Sequence, residues 1–338
     1  MVTCRSIRAS WLRVRPRHAA ELRARIPEPA CEEVPVESEF LSWLRARLPE
    51  HPRLSLGPGD DAAVLNMQPG AGCVLTSDLL SEGTDFESPP GDWGKVGRKA
   101  LAMNLSDLAA MAAQPLAALV SVLLPRIGGL AIAQQIYDGM CPLVAEFDIP
   151  IAGGDTNSWE GPAVVSVTAV GQTTEHGLWL RSGARPLDRV LVTGSLGGSI
   201  LGHHFDFVPR VREALLLNAR YRIHAATDIS DGLSLDLANI LAASQVGATL
   251  DTGRIPISPA ARRVARTVGG TPLEHALGDG EDFELILIVP PDEAPRLLSD
   301  QPLPVPLTQI GHIIPQPGLW ERQADGSRTP LQPRGYRH

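Results

Sequence analysis

Aspartate recurs along this chain in short segments that also hold glycine, serine or threonine. The segments are Gly59-Asp60-Asp61, Thr76-Ser77-Asp78, Asn104-Leu105-Ser106-Asp107, Gly153-Gly154-Asp155 and Asp228-Ile229-Ser230-Asp231-Gly232. Their side chains offer hard oxygen atoms, and none of the segments contains His or Cys. Such donors suit Mg²⁺ far better than zinc or copper. The segments therefore indicate magnesium binding.

Each of these segments, taken singly, also has a structural explanation. An Asp before a Gly is common in turns. Asp228 or Asp231 could cap the helix that we expect to begin near Leu233, because an aspartate at a helix start accepts hydrogen bonds from free N–H groups. No single segment decides between a metal ligand and a turn or cap.

Asp107 is the hardest of these aspartates to explain structurally. It lies in a predicted helix over residues 97–113 that is rich in Ala and Leu. A carboxylate buried there needs a metal, a cationic partner or a proton. Asn104 lies one turn earlier, so both side chains can point into one cleft. The alternative to a metal is an ion pair between Asp107 and Arg98 or Lys99.

The elements that must position these residues alternate between strands and helices. Strands are predicted over residues 74–76, 119–124, 150–152 and 163–170, and helices over 97–113 and 132–147. A turn-rich hinge at 181–188 separates them from strands at 190–192, 248–250, 283–289 and 310–314 and helices at 233–244 and 259–266. The pattern predicts an α/β protein with an N-terminal domain at 36–180 and a C-terminal α/β domain at 181–338.

Composition limits the classes of partner. The net charge of −8 over 338 residues gives no general reason to expect nucleic acid or an anionic membrane as a partner. The cysteines at 4, 31, 73 and 141 form no CxxC pair, which fits a reducing cytoplasm. Residues 1–35 are Arg-rich without an export signal, and we expect a disordered extension or an upstream start codon there.

Several blocks of the sequence resemble the thiamine-monophosphate kinase family in order and spacing. They are Gly57-Pro-Gly-Asp-Asp-Ala-Ala-Val64, Asn104-Leu-Ser-Asp-Leu-Ala-Ala-Met111, Gly153-Gly-Asp-Thr156, Arg181-Ser-Gly-Ala184, Asp228-Ile-Ser-Asp-Gly-Leu233 and Gly280-Glu-Asp-Phe-Glu-Leu285. The family belongs to the aminoimidazole ribonucleotide synthase superfamily, whose members bind ATP without a Walker P-loop. No GxxxxGK[ST] motif occurs in this sequence.

The resemblance implies a fold and a set of site residues. The expected fold is α/β (α+β), with an N-terminal half-barrel sheet that dimerises and a C-terminal α/β sandwich domain. The implied Mg²⁺ ligands are Asp61, Thr76, Ser77, Asp78, Asp107, Asp155, Asp228 and Asp231. The implied ATP contacts are Tyr137, Gly154, Asp155, Arg181 and Ser230. The groups expected to act on the reacting phosphates are Asp78, Asp107, Asp155, Arg181 and Asp231, and those near the acceptor are Asp85, Glu281 and Pro333.

The implied reaction is phosphoryl transfer from ATP to thiamine monophosphate. The acceptor phosphate, with a second pKa of about 6, is already largely ionised at neutral pH and needs no general base. The problem is repulsion between two polyanions, which metal ions and Arg181 would relieve. Two positions depart from the family: Asp85 stands where a His is common, and Pro333 where an aromatic residue is common. The alternatives are another ATP-using enzyme of the superfamily and a catalytically inactive nucleotide-binding homologue.

Overall fold

The structure, a computed structural model, describes residues 40, 43, 44, 46–48, 50–58, 61–87 and 91–336. The predicted N-terminal extension over residues 1–35 lies outside the described residues. Phe40, Trp43 and Leu44 have helical conformation. No helix in the described part of the chain is long and apolar enough to cross a membrane.

The first half of the chain folds around a four-stranded sheet. Its strands are β3 (Cys73–Ser81), β4 (Gln114–Pro125), β5 (Ile151–Trp159) and β6 (Val164–Gln172), in the order β3-β6-β4-β5, and β4 pairs with β5 in parallel. A small two-stranded sheet of β1 (Leu54–Leu56) and β2 (Val64–Leu65) precedes it. Helices α1 (Trp93–Ala110) and α2 (Gly129–Phe147) pack against each other and bury the Ala- and Leu-rich side of α1.

Helix α1 begins four residues before the predicted start at residue 97. Its N-cap is Asp92, whose carboxylate accepts hydrogen bonds from the N–H groups of Gly94 and Lys95. Gly94 and Gly97 lower the helical propensity near the start of α1, but the cap and the packing against α2 offset this cost.

Strands β3 and β5 are longer than the sequence predicts. β3 continues beyond residue 76 because it pairs with β6 along its whole length, with Asp78 opposite Val167. β5 continues beyond residue 152 because it pairs with β4, with Asp155 opposite Ser121. Asp78 and Asp155 therefore lie inside strands, not at strand ends, since pairing outweighs the low strand propensity of aspartate.

The second half is a seven-stranded sheet covered by helices on both faces. The strands are β7 (Arg189–Thr193), β8 (Ala225–Asp228), β9 (Gly247–Leu250), β10 (Leu285–Val289), β11 (Leu307–Ile314), β12 (Gly318–Arg322) and β13 (Arg328–Pro330), in the order β13-β12-β9-β11-β7-β10-β8. The helices are α3 (His203–Asp206), α4 (Val211–Arg220), α5 (Leu233–Ser244), α6 (Pro259–Thr267), α7 (Pro272–Gly278) and α8 (Ala294–Asp300). This arrangement confirms the expected α/β sandwich.

Alternation along β10 shows how both faces are buried. Leu285, Leu287 and Val289 join the core that also holds α1, whereas Ile286 and Ile288 join a second core beneath α5. A strand buried on both faces is a continuous apolar run, as the sequence of β10 is. The core on the first face continues from Leu287 through Leu101 of α1 to Val167 of β6. Helix α1 thus packs against both sheets.

Candidate functional site

Three of the predicted magnesium ligands come from three different elements of the fold. Asp78 lies on β3, Asp107 lies in the last turn of α1, and Asp228 is the last residue of β8. The Thr76 hydroxyl donates to Asp107 Oδ2 at 2.5 Å. The Ser106 hydroxyl donates to Asp228 Oδ2, also at 2.5 Å. Hydroxyl groups of neighbouring residues thus orient two of the three carboxylates.

The pKa values of these carboxyl groups record how crowded the site is. Burial raises the pKa of Asp78 from 3.8 to about 6, and the nearby charge of Asp107 adds to the rise. Burial raises the pKa of Asp228 to about 8, again with a contribution from Asp107. Burial also raises the pKa of Asp107, against the lowering effects of the Thr76 hydrogen bond and the Arg181 charge. The charge of Asp107 therefore repels the carboxylates of both Asp78 and Asp228.

Arg181 supplies the positive charge at this site. It lines a cavity of about 530 Å³ together with Thr76, Asp107 and Asp228. Its charge lowers the pKa of Asp107 and of Asp228. The Arg181 Nε donates to Thr227 Oγ1 at 3.4 Å, and the side chain is otherwise exposed to the cavity. A phosphate group in this cavity would meet the guanidinium directly.

The alternative explanation of Asp107 as one half of a helix ion pair is wrong. Lys99 Nζ pairs with Glu281 Oε1 at 2.5 Å. Arg98 donates to the carbonyl oxygens of Phe205 and Phe207. Both cations are occupied elsewhere, so Asp107 is left with a hydroxyl donor and the more distant Arg181.

The residues present fit magnesium by their chemistry. Within the part of the chain that the structure describes, no three His, Cys, Asp or Glu side chains already converge as a metal-binding cluster. The donors are nevertheless carboxylate and hydroxyl oxygens, and the raised pKa values of Asp78 and Asp228 show that nearby protein cations do not compensate their charge. A divalent cation with oxygen ligands would relieve that repulsion.

The loop after β8 is held by Asp236, a residue that the sequence analysis did not select. Asp236 Oδ2 accepts hydrogen bonds from the N–H groups of Asp231 and Gly232, both at 3.0 Å. The N-cap of α5 is Gly232, which has no side-chain cap, so the suggestion that Asp228 or Asp231 caps this helix is wrong. The signal in the sequence was an acidic residue in the first turn of α5.

The same loop receives two other parts of the chain. The carbonyl oxygen of Ser230 accepts a hydrogen bond from the Glu281 N–H, and that of Asp231 accepts one from the Tyr336 N–H. The side chains of Ser230 and Asp231 are partly accessible. Ser230 and Asp231 therefore lie where the 280–284 segment and the C-terminal segment meet the end of β8.

A second group of predicted residues lies around another cavity. This cavity of about 690 Å³ is lined by Asp61, Tyr137, Gly154 and Asp155 among others. Gly154 has φ +153°, and a Cβ there would lie 1.7 Å from the carbonyl oxygen of Val120, so only glycine fits. Tyr137 is almost fully buried and donates to that same oxygen at 3.3 Å.

Ser77 belongs with this second group rather than with its neighbours in sequence. Its hydroxyl lies 2.9 Å from that of Thr168, which lines the same cavity. Residues alternate between the faces of a strand, so Ser77 points away from the side of β3 that carries Thr76 and Asp78. The structure thus divides the predicted magnesium ligands between two faces of the sheet.

The predicted acceptor residues are divided between two cavities. Asp85 and Glu281 line one of about 1100 Å³ with Phe86, Phe205 and others. Asp85 Oδ2 accepts hydrogen bonds from the backbone N–H and hydroxyl of Ser81, which ties it to its own turn. Pro333 lines a separate, mostly apolar cavity of about 540 Å³ beside Trp320.

Magnesium should stabilise the protein more at high pH than at low pH. A carboxyl group whose pKa is raised on folding stabilises the fold below its unfolded pKa and loses that contribution as the pH rises through the folded value. For Asp78 this contribution is lost between pH 3.8 and about pH 6, and for Asp228 between pH 3.8 and about pH 8. We expect Mg²⁺ to raise the melting temperature strongly at about pH 8 and little at about pH 5. Equal shifts at both values would contradict the assignment of these carboxylates to a metal site.

Comparisons with known proteins match this architecture in both halves. The family model "AIR synthase related protein, N-terminal domain" matches residues 59–173, and "AIR synthase related protein, C-terminal domain" matches residues 168–320. A thiamine-monophosphate kinase of Rhodopirellula baltica is 42% identical over 310 residues, which cover 90% of this chain and 97% of that protein.

Solved structures give the same result. The crystal structure of a thiamine-monophosphate kinase from Stenotrophomonas maltophilia K279a superposes with a TM-score of 0.73 at 31% identity, covering 88% of this chain and 98% of that one. The structure of AaThiL complexed with AMPPCP and TMP superposes with a TM-score of 0.70 at 25% identity, covering 90% and 96%. By its sequence over nearly its whole length and by its fold, this chain belongs to the thiamine-monophosphate kinase family.

Proposed function

We propose that the chain uses ATP to phosphorylate thiamine monophosphate, which yields thiamine diphosphate and ADP. The observation that carries this proposal is that Asp107 and Asp228 line one cavity with Arg181, and that the charge of Asp107 also adds to the rise in the pKa of nearby Asp78. A related protein of the same fold has been solved with an ATP analogue and TMP, which supports the choice of substrates.

The protein's own groups perform binding and charge neutralisation rather than proton transfer. Bound Mg²⁺ would neutralise charge on the phosphates and orient them, with Asp78, Asp107 and Asp228 as ligands beside Arg181. Arg181 would contact a phosphate oxygen as charge moves from the acceptor to the leaving diphosphate. The described residues that line the cavity include neither His nor Cys, which agrees with a reaction that needs no general base.

We assign the nucleotide to the cavity that Asp61, Tyr137, Gly154 and Asp155 line. The missing Cβ at Gly154 lets β5 lie close to the carbonyl oxygen of Val120, which fixes the strand that carries Asp155 along this cavity. Asp61 and Asp155 are acidic residues at the same cavity, so metal ions would accompany the nucleotide phosphates there. Ser77, on the side of β3 that faces this cavity, would offer a further hydroxyl ligand. The ATP contact of Ser230 and the magnesium contact of Asp231 stay predictions.

We assign the acceptor to the cavity of about 1100 Å³ that Asp85 and Glu281 line. Its walls are partly aromatic, through Phe86 and Phe205, and partly acidic. Aromatic and acidic walls suit a flat, positively charged heteroaromatic ring such as the thiazolium of thiamine. Pro333 lies at a different cavity, so its predicted contact with the acceptor would require the C-terminal segment to move.

The direct test is an assay of the purified protein with ATP, Mg²⁺ and thiamine monophosphate. We expect thiamine diphosphate and ADP in equal amounts, and no product when Mg²⁺ is chelated. Hydrolysis of ATP without thiamine diphosphate would favour another ATP-using member of the superfamily. Loss of both activities in a folded, ATP-binding protein would favour a catalytically inactive homologue.

We also propose that the chain forms a homodimer in the cytoplasm through the open face of the four-stranded sheet. Leu75 and Leu79 on β3 are 66% and 58% exposed, and Leu119 on β4, which also lines the nucleotide cavity, is 39% exposed. A row of exposed leucines on a sheet is typical of a surface that another chain covers.

Replacement of Leu79 by Glu should convert the dimer to a monomer, because it places a charge on that apolar face. The measurement is molar mass by light scattering. Val268→Glu is the control, because Val268 is a surface residue, 81% exposed, outside the four-stranded sheet. A wild-type protein of monomeric mass would rule out the dimer.

A further inference from the structure

His204 forms part of the wall of the acceptor cavity. It lies on the short helix α3, is 8% exposed, and lines the cavity together with Phe205 and Glu281. Its ring packs on that of Phe205, with 4.1 Å between the centroids. Its Nδ1 lies 2.8 Å from the carbonyl oxygen of Ser199. The imidazole is therefore fixed in position by one hydrogen bond and one ring contact.

The hydrogen bond to Ser199 decides which nitrogen of His204 carries the proton. A carbonyl oxygen can only accept, so Nδ1 must donate. Burial lowers the pKa of His204, and the charge of Lys99 adds to this lowering. Together they outweigh the raising effects of the Ser199 hydrogen bond and of the Glu281 and Asp206 charges. The ring is then neutral at physiological pH, and its Nε2 carries a lone pair.

The lone pair of His204 Nε2 is open to the cavity. Nε2 has no hydrogen-bond partner among the residues that the structure describes. It is also not one of the buried polar atoms that lack a partner in the same part of the chain. A ligand in the cavity can therefore reach it, and that ligand must offer an N–H or O–H donor.

Two other polar groups of this wall, Asp85 and Glu281, are already engaged. Asp85 accepts two hydrogen bonds from Ser81. Glu281 Oε1 receives a hydrogen bond from Lys99 Nζ, which is 1% exposed and lies over the Phe205 ring. The ion pair with the buried ammonium fixes the position of the Glu281 carboxylate, because an unpaired buried cation would be costly. The wall thus offers two hydrogen-bond acceptors, His204 Nε2 and the second oxygen of Glu281. Its charged lining residues in the described part of the chain are Asp85, Glu87, Asp92 and Glu281 against Lys95, so the cavity is acidic overall and disfavours phosphate.

We infer that His204 Nε2 accepts a hydrogen bond from the amino group on the pyrimidine ring of the acceptor substrate. This inference rests on the proposed function and adds His204 to Asp85 and Glu281 as a residue near the acceptor. It also sets the orientation of thiamine monophosphate in the cavity. The hydrogen-bond acceptors of the wall bind the ring that carries the amino group, and the phosphate at the other end of the molecule faces Arg181. Lys99 is a positioning residue that acts through Glu281.

The test compares two acceptors in three proteins. The acceptors are thiamine monophosphate and an analogue with hydrogen in place of the pyrimidine amino group. The proteins are the wild type, His204→Phe and His203→Gln. Phe keeps a ring against Phe205 and removes Nε2. His203 is the matched control on the same helix, since its Nε2 lies 3.1 Å from the carbonyl oxygen of Asp282 and Gln retains a donor there.

We expect His204→Phe to raise KM for thiamine monophosphate about tenfold, the scale of one hydrogen bond in a binding site, with KM for ATP unchanged. The wild type and His203→Gln should use the analogue about tenfold less efficiently than thiamine monophosphate, whereas His204→Phe should use both almost equally. His204→Gln should recover part of the discrimination, because its amide oxygen can replace Nε2.

Two failures can be told apart. A wild-type protein that makes no thiamine diphosphate would overturn the proposed function. A wild-type protein that makes it, with a His204→Phe variant that still discriminates fully against the analogue, would overturn the inference about His204 alone. If His204→Phe does not fold, His204→Gln and the wild-type analogue ratio still decide the question, since equal use of both acceptors by the wild type excludes recognition of the amino group.

Discussion

Replacement of Asp107 by Asn should lower kcat by on the order of a hundredfold while leaving the protein folded. The amide keeps the size of the side chain and can still accept the hydrogen bond from Thr76. It removes the charge that raises the pKa of both Asp78 and Asp228. If these carboxylates bind Mg²⁺ during phosphoryl transfer, the loss of the central charge weakens the metal site and exposes the phosphates to mutual repulsion.

The stability of the Asp107→Asn protein separates catalysis from structure. Without ligand, the melting temperature should stay constant or rise, because burial of an uncompensated carboxylate is unfavourable. The pKa of Asp78 and of Asp228 should fall, since each loses the neighbouring charge. The dependence of the rate on Mg²⁺ should shift to higher concentrations. Melting temperature and Mg²⁺-dependent rate are measured on the same preparation.

Asp138→Asn is the matched control for this experiment. Asp138 lies on α2 and pairs with Arg47 at the surface, with 47% of its side chain exposed. Loss of an exposed ion pair changes stability by less than about 1 kcal/mol and should leave kcat unaltered. A stable Asp107→Asn protein with wild-type kinetics would remove Asp107 from the mechanism. A destabilised protein with normal kinetics would give it a purely structural role.

Sequence patterns located those parts of the fold that local periodicity determines. The predicted helix at 233–244 agrees with α5, and the buried run at 283–289 contains all of β10. The aspartates at 78, 107 and 228 could be selected because their segments repeat one chemistry, and the charge of Asp107 does reach both Asp78 and Asp228. The domain boundary near residue 180 stays a prediction. It is compatible with the strands, because β6 ends before it and β7 begins after it.

The remaining features depend on contacts between distant parts of the chain. Lys99 and Glu281 are 182 residues apart, and neither position carries a local sign of the other. The role inferred for His204 depends on its hydrogen bond to the carbonyl oxygen of Ser199 and on its position in the wall of a cavity, and no sequence motif indicates either. Strand β3 extends past Asp78 because β6 pairs with it, which no propensity of the residues 77–81 would indicate. Such positions can be found only once the fold is known.

Replacement of Gly97 by Ala should destabilise the protein although alanine is the better helix former. Helices α1 and α2 cross at glycines, and a Cβ on Gly97 would lie 2.0 Å from the carbonyl oxygen of Ile136. A backbone atom cannot move aside as a flexible side chain does, so the helices must separate. The gain of up to about 1 kcal/mol in helix propensity is smaller than the cost of such overpacking, about 3 kcal/mol. The melting temperature should fall by about 5 °C.

Gly94→Ala is the control, because it adds the same methyl group to the same helix at a less crowded point. The atoms nearest to a Cβ on Gly94 are Asp92 Oδ1 at 3.1 Å and the carbonyl oxygen of Gln135 at 3.5 Å, so a small adjustment accommodates it. Its melting temperature should stay close to that of the wild type. The Gly97 variant should also lose activity below its melting temperature, since α1 carries both Lys99 and Asp107 and any shift of the helix moves them together. Wild-type stability in Gly97→Ala would mean that the helices pack less closely than their glycines indicate.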